Sequence, residues 1–325
     1  MKKFLFSILA VGAIVACTKS EVKYEGDTEI AFAPVASTAT KAAIEGTYYP
    51  TEIPFNVFAF YAVGVEPGAV TDYSQFTTSY LYNKKFEYKD NTGLFAGAEH
   101  SYYWPKTGSL VFAGYSPCVD MVNSVSQSYD FANGLSIEGY VQSENTQETD
   151  DLMWFDQTPS SYRNEVVPVK FTHACSWLSF YVNSQTTDAK FRIKKLVLND
   201  VQVKGDFNSR GPVWNLGYNV KKPVVVMDGD VEIPSNNAMS QIDDKGVIVL
   251  PQDCVTATIT YTMDNGAGVV IEQTQTFPLS AGTDGAKWNA SRHYIYTIQF
   301  SATEILISPS VNKWIDVNAD LIPVL

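Results

Sequence analysis

The stretch RHYIYTIQFS, residues 292–301, decides the fold class. His293, Ile295, Thr297 and Gln299 alternate with Tyr294, Tyr296, Ile298 and Phe300. Large apolar side chains at every second position build one continuous face on a pleated strand; a helix would scatter them around its axis. The same signal recurs outward from it. Upstream, ITYTMD (259–264) and VVIEQTQTF (269–277) flank Asn265-Gly266, a dipeptide suited to a tight hairpin. GVIVLP (246–251) and FRIKKLVLNDVQVKGDFN (191–208) read as further strands. VVPVKFTHACSWLSFYV (166–182) reads as a long strand bent near His173-Ala174.

The first half is built alike. TEIAFAPV (28–35) alternates, and PFNVFAFYAV (54–63) reads as a strand covered on both faces. SLVFAGYSP (109–117) and DDLMWF (150–155) follow. Strands of this length, joined by Gly, Pro and Asn, predict an all-β protein of antiparallel sandwiches, and 325 residues suit two in tandem. The polar run DQTPSSYRNE (156–165) is the expected linker, dividing residues 17–164 from residues 165–325.

The N-terminus concerns address, not fold. Lys2 and Lys3 precede an apolar run from Phe4 to Val15, long enough for a secretory signal and too short to cross a bilayer. The run stops at Cys17, just after Ile14-Val15-Ala16. A cysteine in that place reads as the acylated residue of a bacterial lipoprotein, with residues 1–16 as its signal peptide. An ordinary signal beside an incidental cysteine is the other reading. Each buried methylene contributes about 0.8 kcal/mol, so two or three acyl chains tether a domain to a membrane.

Composition narrows the partners. The chain is 45% hydrophobic and 13% aromatic, enough for real cores, and carries a net charge of −12. So acidic a surface argues against nucleic acid and against anionic lipid surfaces. With Cys17 acylated, Cys118, Cys175 and Cys254 allow at most one disulfide.

No phosphate loop, zinc-protease or nucleophile-elbow motif is found, and no C-x-x-C pair. His100, His173 and His293 stand in separate segments. Asp228, Asp230 and Glu232 have the composition of a calcium loop, although such a cluster is more often only a turn. Asp150-Asp151 and Asp243-Asp244 are adjacent pairs that a strand would split between its faces. These readings point to no catalytic residue, metal or cofactor. Nineteen Tyr and eighteen Phe suit sheet cores, and those left exposed would suit sugar rings.

Tyr102 to Pro117, YYWPKTGSLVFAGYSP, resembles the Tyr-Trp-Pro…Phe-x-Ala/Gly-Tyr-Ser-Pro segment of fimbrillin-like (Mfa-like) proteins, the type V pilins and accessory fimbrial subunits of Bacteroidales. VPVKFTHACSWLSFYV is similar to their second-domain opening, and KAAIEGTYYP and VNKWIDV fit as well. The matches run from about Thr28 to Val317 and depart at the linker and around Asp228. The resemblance implies two transthyretin-like sandwiches, lipoprotein export and assembly with other subunits into a fimbrium serving adhesion at the cell surface. Host proteins or glycans would be its targets.

In that family, as the resemblance implies, a protease removes the first strand of each precursor and a neighbour's strand fills the gap. Between Lys23 and Lys84 the only basic residue is Lys41, in the small, polar run ASTATKAA, so an Arg/Lys-directed protease would cut Lys41–Ala42. A plain, uncut loop is the alternative. The tail WIDVNADLIPVL (314–325) sets Ile315, Val317, Ala319 and Leu321 against Asp316, Asn318 and Asp320, the period of a donor strand. Closure of its own domain is the other use for that tail. Stalk and tip positions both stay open. A monomeric surface lipoprotein that binds glycans through exposed aromatics is the rival reading.

Overall fold

The computed structural model describes residues 27–33, 36–37, 49–66, 73–130, 133–143, 151–158, 164–211, 213–235, 237–243, 245–301, 305–314 and 317–318. Among them the architecture is all-β, with no α-helix and two short 3-10 turns, Tyr73–Gln75 and Gly282–Asp284. Among the described residues no helix is long and apolar enough to cross a membrane.

A nine-stranded sheet dominates the first half. Its order is Val167–Pro168, Phe32–Ala33, Leu94–Gly97, Thr78–Lys89, Phe55–Ala62, Ser109–Ser116, Met153–Thr158, Lys170–His173 and Val317–Asn318. Phe55, Val57 and Ala59 face one core and Phe58 faces another, the two-residue period expected of a strand covered on both faces. Ser109–Ser116 is buried along its whole length. Gly114 in that strand is required by packing: a Cβ there would run into the Asn56 carbonyl and the Phe155 ring.

Ring contacts reveal the sheet's curvature. Phe32 and Phe112 belong to strands four places apart, a separation of about 19 Å in a flat sheet. Their ring centroids are 5.4 Å apart. Phe55 and Phe171, three places apart, meet at 5.3 Å. The sheet therefore rolls around a core of phenylalanines, with Tyr49 and Trp104 completing it.

The second half is a sandwich. Ser176–Ser184, Arg292–Phe300 and Ile305–Lys313 form one sheet, with Ser240–Gln241 and Val247–Val249 beside it. Lys221–Glu232, Lys190–Gln202, Thr256–Asp264 and Val270–Pro278 form the other. Phe180, Tyr296 and Ile298 from the first meet Ile193, Leu196 and Ile259 from the second in one core. The Asn265-Gly266 hairpin is found between Thr256–Asp264 and Val270–Pro278; Gly266 adopts φ +77°, and Asp264 Oδ1 accepts its N–H at 2.9 Å.

The halves are knitted together. The long strand expected at 166–182 breaks at Ala174-Cys175, leaving Lys170–His173 in the rolled sheet and Ser176–Ser184 in the sandwich. A small sheet pairs Gly134–Val141 with Lys204–Asn208, so it takes strands from both sides of residue 165. The stretch read as a linker begins inside the strand Met153–Thr158. Cys118, Cys175 and Cys254 are free thiols. Burial pushes all three up, Cys254 to about 11, which leaves them protonated and unreactive at neutral pH.

Candidate functional site

The first strand sits where its alternation predicts. Ile30 and Phe32 are buried, whereas Glu29 is exposed and Ala31 half-buried. Among the described residues of this stretch, Phe32–Ala33 forms the regular ladder, parallel to Val167–Pro168 on one side and antiparallel to Leu94–Gly97 on the other. Three main-chain bonds extend it: Ile30 N to Tyr102 O (2.6 Å), Trp104 N to Thr28 O (2.9 Å) and Val167 N to Ala31 O (2.8 Å). The ring of Phe32 meets Phe55, Phe86 and Phe112 edge-on at 5.7, 4.9 and 5.4 Å. Burying such a ring contributes about 1.5–3 kcal/mol, and each edge-on aromatic pair adds about 0.5–1.5 kcal/mol. This segment is held more by what it inserts than by its ladder.

Its position matters as much as its contacts. Phe32–Ala33 lies between two strands, so lifting it out leaves an interior gap floored by Phe55, Phe86 and Phe112. A cleft of about 580 Å³ continues from that place, bordered by Thr28, Leu94, Ala96, His100 and Val166. A slot of this kind recognises main chain through its two flanking strands and apolar side chains at alternate positions.

The tail reaches the opposite edge of the same sheet. Val317–Asn318 pairs antiparallel with Lys170–His173, setting Val317 against Phe171 and Asn318 against Lys170. At its root Trp314 is buried, its N–H bonded to Ser291 O at 3.0 Å. The Trp314 indole stacks on His173 at 3.8 Å, and His173 Nδ1 lies 2.8 Å from Asp151 Oδ2, with both side chains out of solvent. On the far side Trp177 stacks on His293 at 3.4 Å, and its ring lies 5.7 Å from Trp314. Burial lowers the His293 pKa to about 4, and its Nε2 meets Ser179 Oγ at 2.8 Å. Sequence reasoning held closure of its own domain as the tail's other use but missed the partners of Trp314, although His173 and Trp177 stand in a segment that carries the family resemblance.

Of the residues expected at functional positions, Val317 lies in the strand just described. Cys17, Lys41, Ala42, Ile315, Ala319 and Leu321 lie outside the described residues. The acidic group once weighed for calcium is engaged otherwise. Asp230 meets Arg192 at 2.7 Å and Lys194 at 2.8 Å, Glu232 meets Arg192 at 2.9 Å, and Asp228 meets Lys195 at 2.5 Å. The Arg192 guanidinium, followed by Lys194, holds the Asp230 carboxyl below its usual pKa. Among the described residues no group of three or more His, Cys, Asp or Glu is disposed to hold a metal ion.

The model of the family described as fimbrillin-like matches residues 69–314. No curated protein matches the chain. Among solved structures, a fimbrial protein from Bacteroides vulgatus is similar at 13% identity and a TM-score of 0.62, covering 88% of this chain and 99% of that one. A candidate cell adhesion protein from Bacteroides uniformis is similar at 18% identity and 0.49, with 88% and 99% covered. The tip fimbrial protein Mfa3 from Porphyromonas gingivalis, with C-terminal truncation, is similar at 12% identity and 0.32, with 81% and 94% covered.

Proposed function

This chain belongs to the fimbrillin-like family, a family of fimbrial subunits, and from that premise we propose that it polymerises by strand exchange after losing its first strand. In this reading the precursor is exported as a lipoprotein on acylated Cys17 and held at the outer membrane. Cleavage at Lys41–Ala42 frees the segment before it. The tail of a neighbour, with Ile315, Val317, Ala319 and Leu321 on one face, then enters the slot and serves as the missing strand. Its modules are residues 17–164 and 165–325, and adhesion to host proteins or glycans is the assembly's task.

One observation carries the proposal. A two-residue ladder with a fully buried phenylalanine occupies an interior place in a nine-stranded sheet, between Leu94–Gly97 and Val167–Pro168. Loss of that segment exposes an apolar gap and two strand edges, a state that aggregates unless another strand fills it. Donor and slot lie on different surfaces, so the contact is heterologous and builds an open filament. The family's fibre and the slot's demand for alternating apolar residues meet in the tail's period-two pattern.

The tail already pairs with Lys170–His173 of its own chain. Donation then requires those two ladder positions to open while the stacked Trp314 stays as the root. The glycan-binding alternative draws on few exposed aromatics: Tyr82 and Tyr218 among the described residues.

The test is limited digestion of the mature protein with a trypsin-like protease. The expected product begins at Ala42 and forms multimers. The double variant Val317→Asp, Leu321→Asp should be cut normally and stay monomeric. A product that begins at Ala42 and keeps its monomer mass would refute strand exchange, and fibres from the double variant would remove the tail as donor.

A further inference from the structure

A cleft of about 550 Å³ opens on the second half, lined by no residue of the first strand or the tail. Asn199, Asp200 and Gln202, at the end of Lys190–Gln202, border it together with Trp214 and Leu216. Trp214 lies in Val213–Asn215, which pairs with Lys204–Asn208 of the small sheet. The volume is that of a small-molecule site.

Its walls are fixed by the fold. Lys190–Gln202 shifts register between Leu198 and Val201, and Asp200 adopts φ +54° there. Such a bulge re-aims side chains out of the ladder. Gln252 is buried and clamps the neighbouring main chain: its Oε1 accepts the Gln202 N–H at 2.8 Å, and its Nε2 donates to Gln202 O and Leu250 O, both at 3.1 Å. Asp253 sits opposite Lys287, with Cys254 N bonded to Ala286 O at 2.8 Å and Trp288 N to Gln252 O at 2.9 Å. Trp214 is held by its Nε1–H to Ala174 O at 2.7 Å and by the rings of Phe207 and Tyr140, each 5.4 Å away. A ligand arriving here does not have to order its own site.

The polar groups around the cleft are unspent. Asp200, Asp253, Lys221 and Lys287 line it, all are exposed, and none has an ion-pair partner among the described residues. The acids from Asp228 to Glu232 differ, since Arg192, Lys194 and Lys195 engage them. Gln202 Oε1 is out of solvent and has no hydrogen-bond partner. A carboxylate only accepts hydrogen bonds and an ammonium only donates them, whereas a hydroxyl does both. Neighbouring hydroxyls on one ring can therefore meet both kinds of group, while a simple anion or cation would satisfy one pair and be repelled by the other. Trp214, Leu216, Pro251 and Val255 are half-buried and offer apolar surface to the C–H face of such a ring. The four charges cancel at the cleft, and the chain's net −12 disfavours an acidic ligand.

We propose that this cleft binds a neutral saccharide. Asp200 and Asp253 accept from ring hydroxyls, Lys221 and Lys287 donate to them, and a hydroxyl beside Gln202 supplies the donor that its Oε1 lacks. The proposal rests on the adhesive reading above for its purpose and on no part of strand exchange.

The experiment is a binding screen on the full, uncut chain by ligand-observed NMR. The neutral probes are lactose, maltotriose, mannotriose and chitotriose, and sialyllactose is the acidic one. At least one neutral probe should bind with a Kd of about 5 mM or tighter. Asp200→Gly keeps a φ that glycine adopts freely, and Asp253→Ala alters an exposed side chain, so both should keep the parent's far-UV spectrum. Each should weaken binding at least about tenfold. Tyr82→Ala, which removes an exposed aromatic of the other half, should bind as the parent does. No neutral probe reaching that affinity, binding by sialyllactose alone, unchanged binding in either cleft variant, or loss of binding in Tyr82→Ala would each overturn the proposal. None of these results bears on strand exchange, because the uncut chain neither loses a strand nor receives one.

Discussion

The rolled sheet and one sheet of the sandwich each contain a parallel strand pair among otherwise antiparallel neighbours, and the two are built for different ends; the short pair Ala36–Ser37 with Tyr49–Pro50 stands apart from both. In the sandwich, Ser176–Ser184 runs parallel to Arg292–Phe300 over nine paired positions without a shift. In the rolled sheet, Phe32–Ala33 runs parallel to Val167–Pro168 over two. The long pair has Phe180 stacked on Tyr296 at 5.2 Å and both rings in a closed core. The short pair is held chiefly by what its segment inserts, Ile30 and the ring of Phe32 wedged among Phe55, Phe86 and Phe112. Parallel pairs need long connections, so either strand could in principle be severed from its partner by one cut. Only the short one could leave without carrying away an extended ladder.

This contrast is open to attack at several points. The largest effect should come from Phe32→Ala, which removes the wedge and leaves its cavity. Stability of the uncut protein should fall by about 3–5 kcal/mol in urea unfolding. Amide exchange of Ala33 and Val167 should accelerate far more than that of Leu178 or Phe180. Equal acceleration in both places would mean that the two pairs are one cooperative unit.

Asp151→Ala comes next, leaving His173 in a buried site without its carboxylate partner. A loss of about 3 kcal/mol is expected, together with a changed fluorescence from the stacked Trp314. A stability loss with unchanged tryptophan emission would detach this pair from the tail root.

The smallest effect concerns acid. The folded pKa of His293 lies near 4, below the ordinary imidazole value of 6.5. Between those values the unfolded chain binds a proton that the folded chain refuses, so stability falls as pH drops from about 6.5 towards 4. Allowing for its partial exposure, the loss attributable to this residue is about 1–2 kcal/mol. His293→Gln should flatten the melting temperature across that window. An unchanged pH profile would place the sandwich's acid sensitivity elsewhere.

Strand identity was legible because burial imposes a period that single residues report. Tyr294, Tyr296, Ile298 and Phe300 are all buried, and Ile30 and Phe32 turn inward as their spacing predicts. The stretch 166–182 reads as one strand bent near His173-Ala174; the irregularity was legible, but not that it divides two strands between different sheets. Pairing was not legible. Period two says which face is buried and nothing about the neighbour, so the bond between Gly134–Val141 and Lys204–Asn208 left no trace in either segment. The rolling of the large sheet was hidden for the same reason, since the contact of Phe32 with Phe112 depends on curvature summed over several strands. The tail 314–325 reads as a donor strand or as closing its own domain; that Trp314 stacks on His173 and Val317 pairs with Phe171 is a tertiary fact.

That hold has a mechanical consequence. Trp314 touches His173, from the rolled sheet, and lies close to Trp177, from the sandwich. Were the tail donated and its ladder with Lys170–His173 opened, tension drawn along it would enter the fold at this indole and be divided between both halves at once. A subunit anchored so would stretch as one body under load, and neither half would be peeled from the other first.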